Sequence, residues 1–272
     1  MLTWNLIWTR VFDVLLAPFG HGPAWFDLTV WSVIAGVIAL LVYKKVSNQR
    51  GITRAKDRIQ AHLYEIRLFR HDPLVVMRSS ARVLGQNLVY LAYNLVPMAV
   101  LTVPMLTVLA QLEAHYAFDP VSVGSVELLS VKLDPHAGLA PRDVTLTAPE
   151  GVVLDSPPVR TPDGEIFWRL RATAAGDHAL ALAAGGQTIT KTWSVGGAHR
   201  KVSVKRTKTW EAFLYPGEAM LPSGSPIRTV EIRHPERPMG ILPHGEMGVL
   251  TAFFALSLVA GFVLKDRFGV TL

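Results

Sequence analysis

Nine histidines and a complete lack of cysteine set the first chemical question, which is what the side chains of this chain can react with or hold. Without thiols there is no thiol nucleophile, no cysteine-ligated zinc or iron–sulfur site and no disulfide scaffold. His234 and His244 stand ten residues apart in a proline-rich stretch, and His115 and His136 stand alone, so all four read as solvated surface residues rather than ligands. There is no paired-histidine metalloprotease pattern, phosphate-binding glycine loop, dinucleotide fingerprint, nucleophile elbow or Ser-x-x-Lys pair. The remaining Asp and Glu are scattered as in ordinary turns. The sequence therefore assigns no catalytic residue, no metal and no cofactor, and reads as a non-enzyme.

Two sets of residues carry a different chemistry, that of recognition. Arg67, Arg70, Arg78 and Arg82 crowd one short segment. They read either as a docking surface for something acidic, such as ribosomal RNA or a nascent chain, or as a solvated face beside anionic lipid. Only Tyr64 and Phe69 interleave with them, too few aromatics for a module that reads nucleic acid, and specific DNA binding is not expected. The second set is polar or helix-loosening and lies inside apolar runs: Ser32 and Gly36 in one run, Asn94, Pro97, Thr102 and Pro104 in another. On a helical wheel Thr29, Ser32, Gly36, Ala39 and Tyr43 share a face, as do Tyr90, Tyr93, Asn94, Pro97, Pro104 and Gln111. Each proline frees a carbonyl one turn back. Facing one another, the two faces bound a shallow polar groove; alternatively they glue helices together, as Ser257 and Gly261 are expected to do in a third run. No ionisable residue lies in the middle of these runs, which argues against a proton relay or ion pump.

The elements that must position these residues follow from composition. Half of the 272 residues are hydrophobic, only 18% are charged, and mean hydropathy is +0.31. Soluble chains carry about 25% charged residues. The deficit is concentrated in runs at 24–43, 88–112 and 247–264, each long enough as a helix to cross a hydrocarbon core of about 30 Å. Residues 44–87 hold ten Lys and Arg against three Asp and Glu, whereas 113–245 hold 14 of each sign. The positive-inside rule then places 44–87 and the short tail 265–272 in the cytoplasm, and the N-terminus and 113–245 outside. Residues 1–23 place Trp4, Ile7, Trp8, Val11, Leu15 and Phe19 at helical spacing, predicting an amphipathic helix in the outer interface, with a short fourth span as the alternative.

Within 44–87, Ile52, Ile59, Leu63 and Ile66 form one stripe. Leu74, Met77, Ala81, Leu84 and Leu88 form another, and Asp72 is set to cap a helix opening at Pro73. Two stripes joined by a tight turn predict an antiparallel helical hairpin. From 121 to 196 the period changes to two: Leu129, Val131 and Leu133; Val144, Leu146 and Ala148; Ile166, Trp168, Leu170 and Ala172; Ile189, Trp193 and Val195. With turns at Pro162–Gly164 and Gly185–Gly186, this predicts an all-β, immunoglobulin-like sandwich over 113–196, followed by a Gly/Pro-rich, basic-then-neutral return segment over 197–245 with an interfacial turn at Trp210, Phe213, Leu214 and Tyr215. The expected fold class is thus membrane α-helical, with three transmembrane helices, an interfacial helix and a helical hairpin, plus a β-sandwich.

Over residues 1–112 and 246–272 this order of elements and charges resembles the YidC-like insertase superfamily, which includes the mitochondrial oxidase-assembly insertase and the insertase subunit of the endoplasmic-reticulum membrane complex. The resemblance implies insertion of short-tailed membrane proteins. The hairpin 44–87 would meet the nascent chain or ribosome, and Ser32, Gly36, Asn94 and Thr102 would line a hydrophilic groove open to cytoplasm and lipid. Many members place an arginine in the groove from the first span, and this chain has none there. Its β-rich insertion occupies the slot where longer members have an extra helical pair. The sequence leaves two other classes open: an envelope-binding protein whose sandwich takes an extracytoplasmic partner, and an accessory subunit held to a larger complex through Ser257 and Gly261. A bacterial cytoplasmic membrane is the expected location.

Overall fold

The structure is a computed structural model that describes residues 2–16, 24–197 and 200–271. Five α-helices are present among them: α1 (Leu2–Leu16), α2 (Ala24–Val46), α3 (Gln49–Leu68), α4 (Pro73–Tyr116) and α5 (Gly245–Leu264). Three helical stretches, Trp25–Val46, Pro73–Tyr116 and Gly245–Leu264, are long and apolar enough to cross a membrane. The apolar runs in the sequence thus set the helices, whose ends extend a few residues beyond the runs. The exception is α4, which joins the second arm of the hairpin and the second apolar run in one helix of 44 residues, with Pro97 and Pro104 inside it. The chain divides into two compact units, Val30–Leu106 with Phe254–Leu272, and Met1–Thr29 with Thr107–Phe253.

In the first unit, side chains cap the N-termini of both α3 and α4. Asn48 Oδ1 accepts from Gly51 N at 3.0 Å at the start of α3, and Asp72 Oδ1 accepts from Leu74 N and Val75 N at 3.0 and 3.2 Å at the start of α4. These bonds satisfy donors that a helix N-terminus leaves open. The last residues fold back on the hairpin: Thr271 N donates to Gln49 Oε1 at 2.7 Å, Lys44 Nζ donates to Phe268 O at 2.6 Å, and Val270 is buried with Leu40, Tyr43 and Ile52.

In the second unit, nine strands form two antiparallel sheets. These are β1 (Val126–Leu133), β2 (Thr145–Thr147), β3 (Val152–Leu154), β4 (Val159–Arg160), β5 (Glu165–Ala172), β6 (Gly176–Ala184), β7 (Gln187–Val195), β8 (Lys205–Thr207) and β9 (Ile227–Ile232). One sheet has the order β3-β5-β1-β9-β8, with β4 beside β5; the other is β2-β6-β7. The alternating residues seen in the sequence all point to one core shared by both sheets, where Leu129, Ile166, Leu170, Leu182 and Trp193 are completely or almost completely buried. The β6–β7 hairpin turns at Gly185 and Gly186, both at positive φ (55° and 76°), which two-residue turns between twisted strands demand. The return segment 197–245 also contributes to the larger sheet. It supplies β8 and β9, and β9 pairs with β1 in the middle of the larger sheet because Ile227, Val230 and Ile232 bring apolar side chains into the core.

Helix α1 belongs to this unit. Thr9 Oγ1 accepts from Gln111 Nε2 at 3.1 Å, and Asp13 lies 3.1 Å from Lys201 Nζ and 3.4 Å from His115 Nε2. Phe12 and Leu16 are buried, whereas Ile7, Val11 and Leu15 of the predicted apolar face are exposed. Phe19 and the rest of 17–23 lie outside the described residues.

Candidate functional site

Helix α4 has two apolar or semi-apolar lines, and only one is occupied. Ser79, Val83, Gln86, Tyr90 and Tyr93 recur at alternating spacings of four and three residues, and this line faces α3. Ser79 Oγ donates to Glu65 Oε2 at 2.8 Å, Lys56 Nζ lies 5.5 Å above the Tyr90 ring, and the Tyr93 ring packs on Gly51, where a Cβ would come within 2.8 Å of it. Partners 65 with 79, 56 with 90 and 51 with 93 run in opposite directions, so the hairpin is antiparallel as expected. Its contact face is not the expected one. Leu74, Met77, Ala81, Leu84 and Leu88 point away from α3, and the four large side chains among them are 63–70% exposed. Gly51 contributes to this choice: its lack of a side chain leaves room for the Tyr93 ring against α3.

The four arginines are exposed around the turn, Arg67 at the end of α3, Arg70 in the turn itself, and Arg78 and Arg82 on the first turns of α4. Beside them Leu63, Tyr64, Leu68 and Phe69 are also exposed. Two acids lie beside this surface, Asp72, whose carboxylate caps α4, and Glu65. The hydrogen bond of Glu65 with His62, and next the one from Ser79, hold its carboxyl below the usual range. It is therefore engaged within the hairpin.

The polar residues of the apolar helices separate into two groups. Ser32 is completely buried, with no hydrogen-bond partner for its Oγ among the described residues. Gly36 lies against the backbone of Ser257, where a Cβ would sit 2.5 Å from the carbonyl oxygen. Asn94 donates to Tyr90 O at 2.7 Å and accepts from the Tyr43 hydroxyl, so the two polar faces meet at this point. Pro97 is buried. Thr102 and Pro104 are exposed instead, Thr102 Oγ1 donating to Met98 O at 2.8 Å. Of the pair expected in α5, Ser257 is packed on Gly36, and Gly261 has nothing within 4 Å of where a Cβ would sit.

In the β-rich region the chain buries a charge cluster that the sequence did not announce. Lys191 is completely buried; its Nζ donates to Glu218 Oε2 and Ser203 O, both at 2.5 Å, and to Ser203 Oγ at 2.9 Å. Glu218 also accepts from Ser203 Oγ at 2.7 Å and from Thr192 N at 2.8 Å. Burial by itself would raise the Glu218 carboxyl, but the Lys191 ammonium and these hydrogen bonds bring it below the ordinary value. Lys191 is shifted in the same direction for a different reason: burial pulls the pKa of its ammonium down, and the facing Glu218 carboxylate opposes that fall. His234, expected on the surface, is 8% exposed. It continues the inward alternation of Val230 and Ile232, its Nδ1 bonds Ile232 O at 3.1 Å, and burial, aided by Lys191, pushes its pKa down to about 4. Among the described residues no group of three or more His, Asp or Glu could hold a metal ion.

Compared with protein-family models, with curated proteins and with solved structures, the chain finds no match.

Proposed function

We propose that this protein is a three-span integral membrane protein that assists the insertion of other membrane proteins, in the manner implied by its resemblance to YidC-like insertases. In this reading α2, α4 and α5 cross a bacterial cytoplasmic membrane, with the α3–α4 hairpin and the C-terminal tail inside. The β-rich region, a sandwich of immunoglobulin-like type, lies outside with α1 in the outer interface. The working partners are the lipid bilayer and nascent membrane proteins, with or without their ribosome, and the protein acts by binding rather than by catalysis.

One observation carries this reading. The hairpin turn presents exposed Leu63, Leu68 and Phe69 beside exposed Arg67, Arg70, Arg78 and Arg82. Apolar side chains kept in water next to guanidinium groups suit a chain segment that is itself apolar and flanked by acidic or phosphate groups. Farther along α4, Thr102 and Pro104 are exposed, so such a segment would meet a hydroxyl and a proline-loosened stretch of backbone there.

Photocrosslinking amino acids placed at Arg67 and Thr102, in membranes given ribosomes with stalled membrane-protein chains, test the proposal. Crosslinks from both positions to the nascent chain are expected, and replacing Arg70, Arg78 and Arg82 by glutamine in the protein labelled at position 67 should reduce those from the hairpin. If both labels are incorporated yet reach only lipid and neighbouring helices, the insertase reading is wrong, and binding by the β-rich region takes its place.

A further inference from the structure

The line of α4 that turns away from α3 continues far beyond the hairpin. Leu74, Met77, Ala81, Leu84, Leu88, Leu91, Leu95 and Met98 recur at spacings of three and four residues without interruption. In heptad terms they fill eight successive a and d positions, the pattern by which parallel helices interlock. Every one of them is exposed, and Leu91, Leu95 and Met98 are each more than half exposed. We infer that this seam joins α4 to the α4 of a second copy of the chain, as a parallel pair about a two-fold axis.

The length and position of the seam select the occupant. From Leu88 onward it lies in the uncharged run 88–112, where lipid can cover it. Leu74 to Leu84 precede that run on the same continuous helix, and Leu74 lies about 21 Å before Leu88 at 1.5 Å per residue. Lipid tails do not reach that far, so water would meet a row of leucine and methionine unless a helix covers it. A peptide or soluble helix would cover only the first half. A partner must itself run from the hairpin level into the apolar layer, parallel to α4 and with the same repeat, and α4 of a second copy meets all of these conditions. This step rests on α4 being a membrane-crossing helix, as proposed above; it does not depend on insertase activity.

Gly85 is an independent sign. Glycine within a helix is unfavourable relative to alanine, and nothing among the described residues lies within 4 Å of where its Cβ would be, so no contact with them requires it. It stands four residues after Ala81 on the flank of the seam, the small-residue spacing that lets two helix backbones approach closely. The flanking positions also fit self-pairing. Arg78 is the one charged residue among the flanking positions 78, 80, 85 and 87, so a parallel pair brings no like charges into facing register.

The lack of native cysteine makes the test direct. Met77→Cys, Leu84→Cys and Leu91→Cys, one at a time in the full chain, place thiols on the seam, and Arg82→Cys places one on the outer side of α4. A disulfide needs Cα atoms within roughly 7 Å, so oxidation of native membranes should yield a dimer of twice the chain mass at 77, 84 and 91 and none at 82. Gly85→Leu added to Leu84→Cys should reduce that dimer severalfold, while maleimide labelling of the reduced thiol shows that the chain is present and inserted. The inference fails if the seam thiols react with maleimide but never join two copies. It fails equally if they link to a protein of another mass.

Discussion

At the scale of single residues, burial of His234 governs how the β-rich region responds to acid. In the folded chain this imidazole takes a proton only near pH 4, whereas an unfolded histidine does so near 6.5. Between those values the unfolded chain holds more protons, so the contribution of His234 to stability is complete above about pH 6.5 and lost as pH falls toward 4. At 1.36 kcal/mol per pKa unit the loss amounts to about 3 kcal/mol at most. Thermal unfolding of the purified protein across this range should show that acidification lowers the midpoint of the parent chain relative to that of His234→Gln; equal slopes in both proteins would dissociate the histidine from the effect. The burial was readable only in part. His234 has the parity of Val230 and Ile232, but parity carries meaning only once the stretch is known to be a strand, and the surrounding prolines and glycines argued for a loop. Lys191 was concealed for the opposite reason: its strand was plain, but its carboxylate partner comes from Glu218, 27 residues away, in a stretch with no periodic signal.

At the scale of elements, helix packing in the unit that holds the hairpin depends on small residues at close approaches. Gly36 is the tightest of these, because a side chain there would meet the Ser257 backbone, which cannot rotate aside as a flexible side chain does. Gly36→Val should force α2 and α5 apart and lower the stability of the detergent-solubilised protein by about 1–3 kcal/mol, the usual cost of overpacking. Gly261→Val, placed where nothing lies within 4 Å, serves as the comparison and should be nearly silent. A larger loss at Gly261 than at Gly36, measured by thermal unfolding, would contradict this packing. Helix positions were legible because an apolar run of this length has few alternatives, and Asp72 with Pro73 marked the start of α4 to the residue. The partner of each face was not. Both lines of α4 have the spacing of a packing seam, and the more apolar one looked like the obvious mate for α3. The choice went to the line with Ser79, Tyr90 and Tyr93 because Gly51 opens room for a ring and Glu65 accepts the serine hydroxyl, features that depend on the register between two helices.

At the scale of the whole molecule, the distribution of charge predicts which parts lie on which side of the membrane. The excess of Lys and Arg is confined to 44–87, where ten of them face three acids, while the 14 positive charges of 113–245 are matched by 14 negative ones. A long neutral region crosses during assembly with little regard to its individual charges, whereas a short loop rich in lysine and arginine is retained. The structure supplies suitable reporters for both regions, since Arg54 on α3 and Val153 on β3 are exposed. With no native cysteine to interfere, Arg54→Cys and Val153→Cys can be probed in intact cells using a membrane-impermeant maleimide. Val153→Cys should be labelled at once, after outer-membrane permeabilisation where the cell has one, and Arg54→Cys only when the inner membrane is opened. The reverse order would turn the molecule over. The hairpin with its arginines would then face away from any ribosome, and the insertase proposal would fall together with the orientation, whereas the α4 pairing would stand, because a parallel seam is the same seam in either orientation.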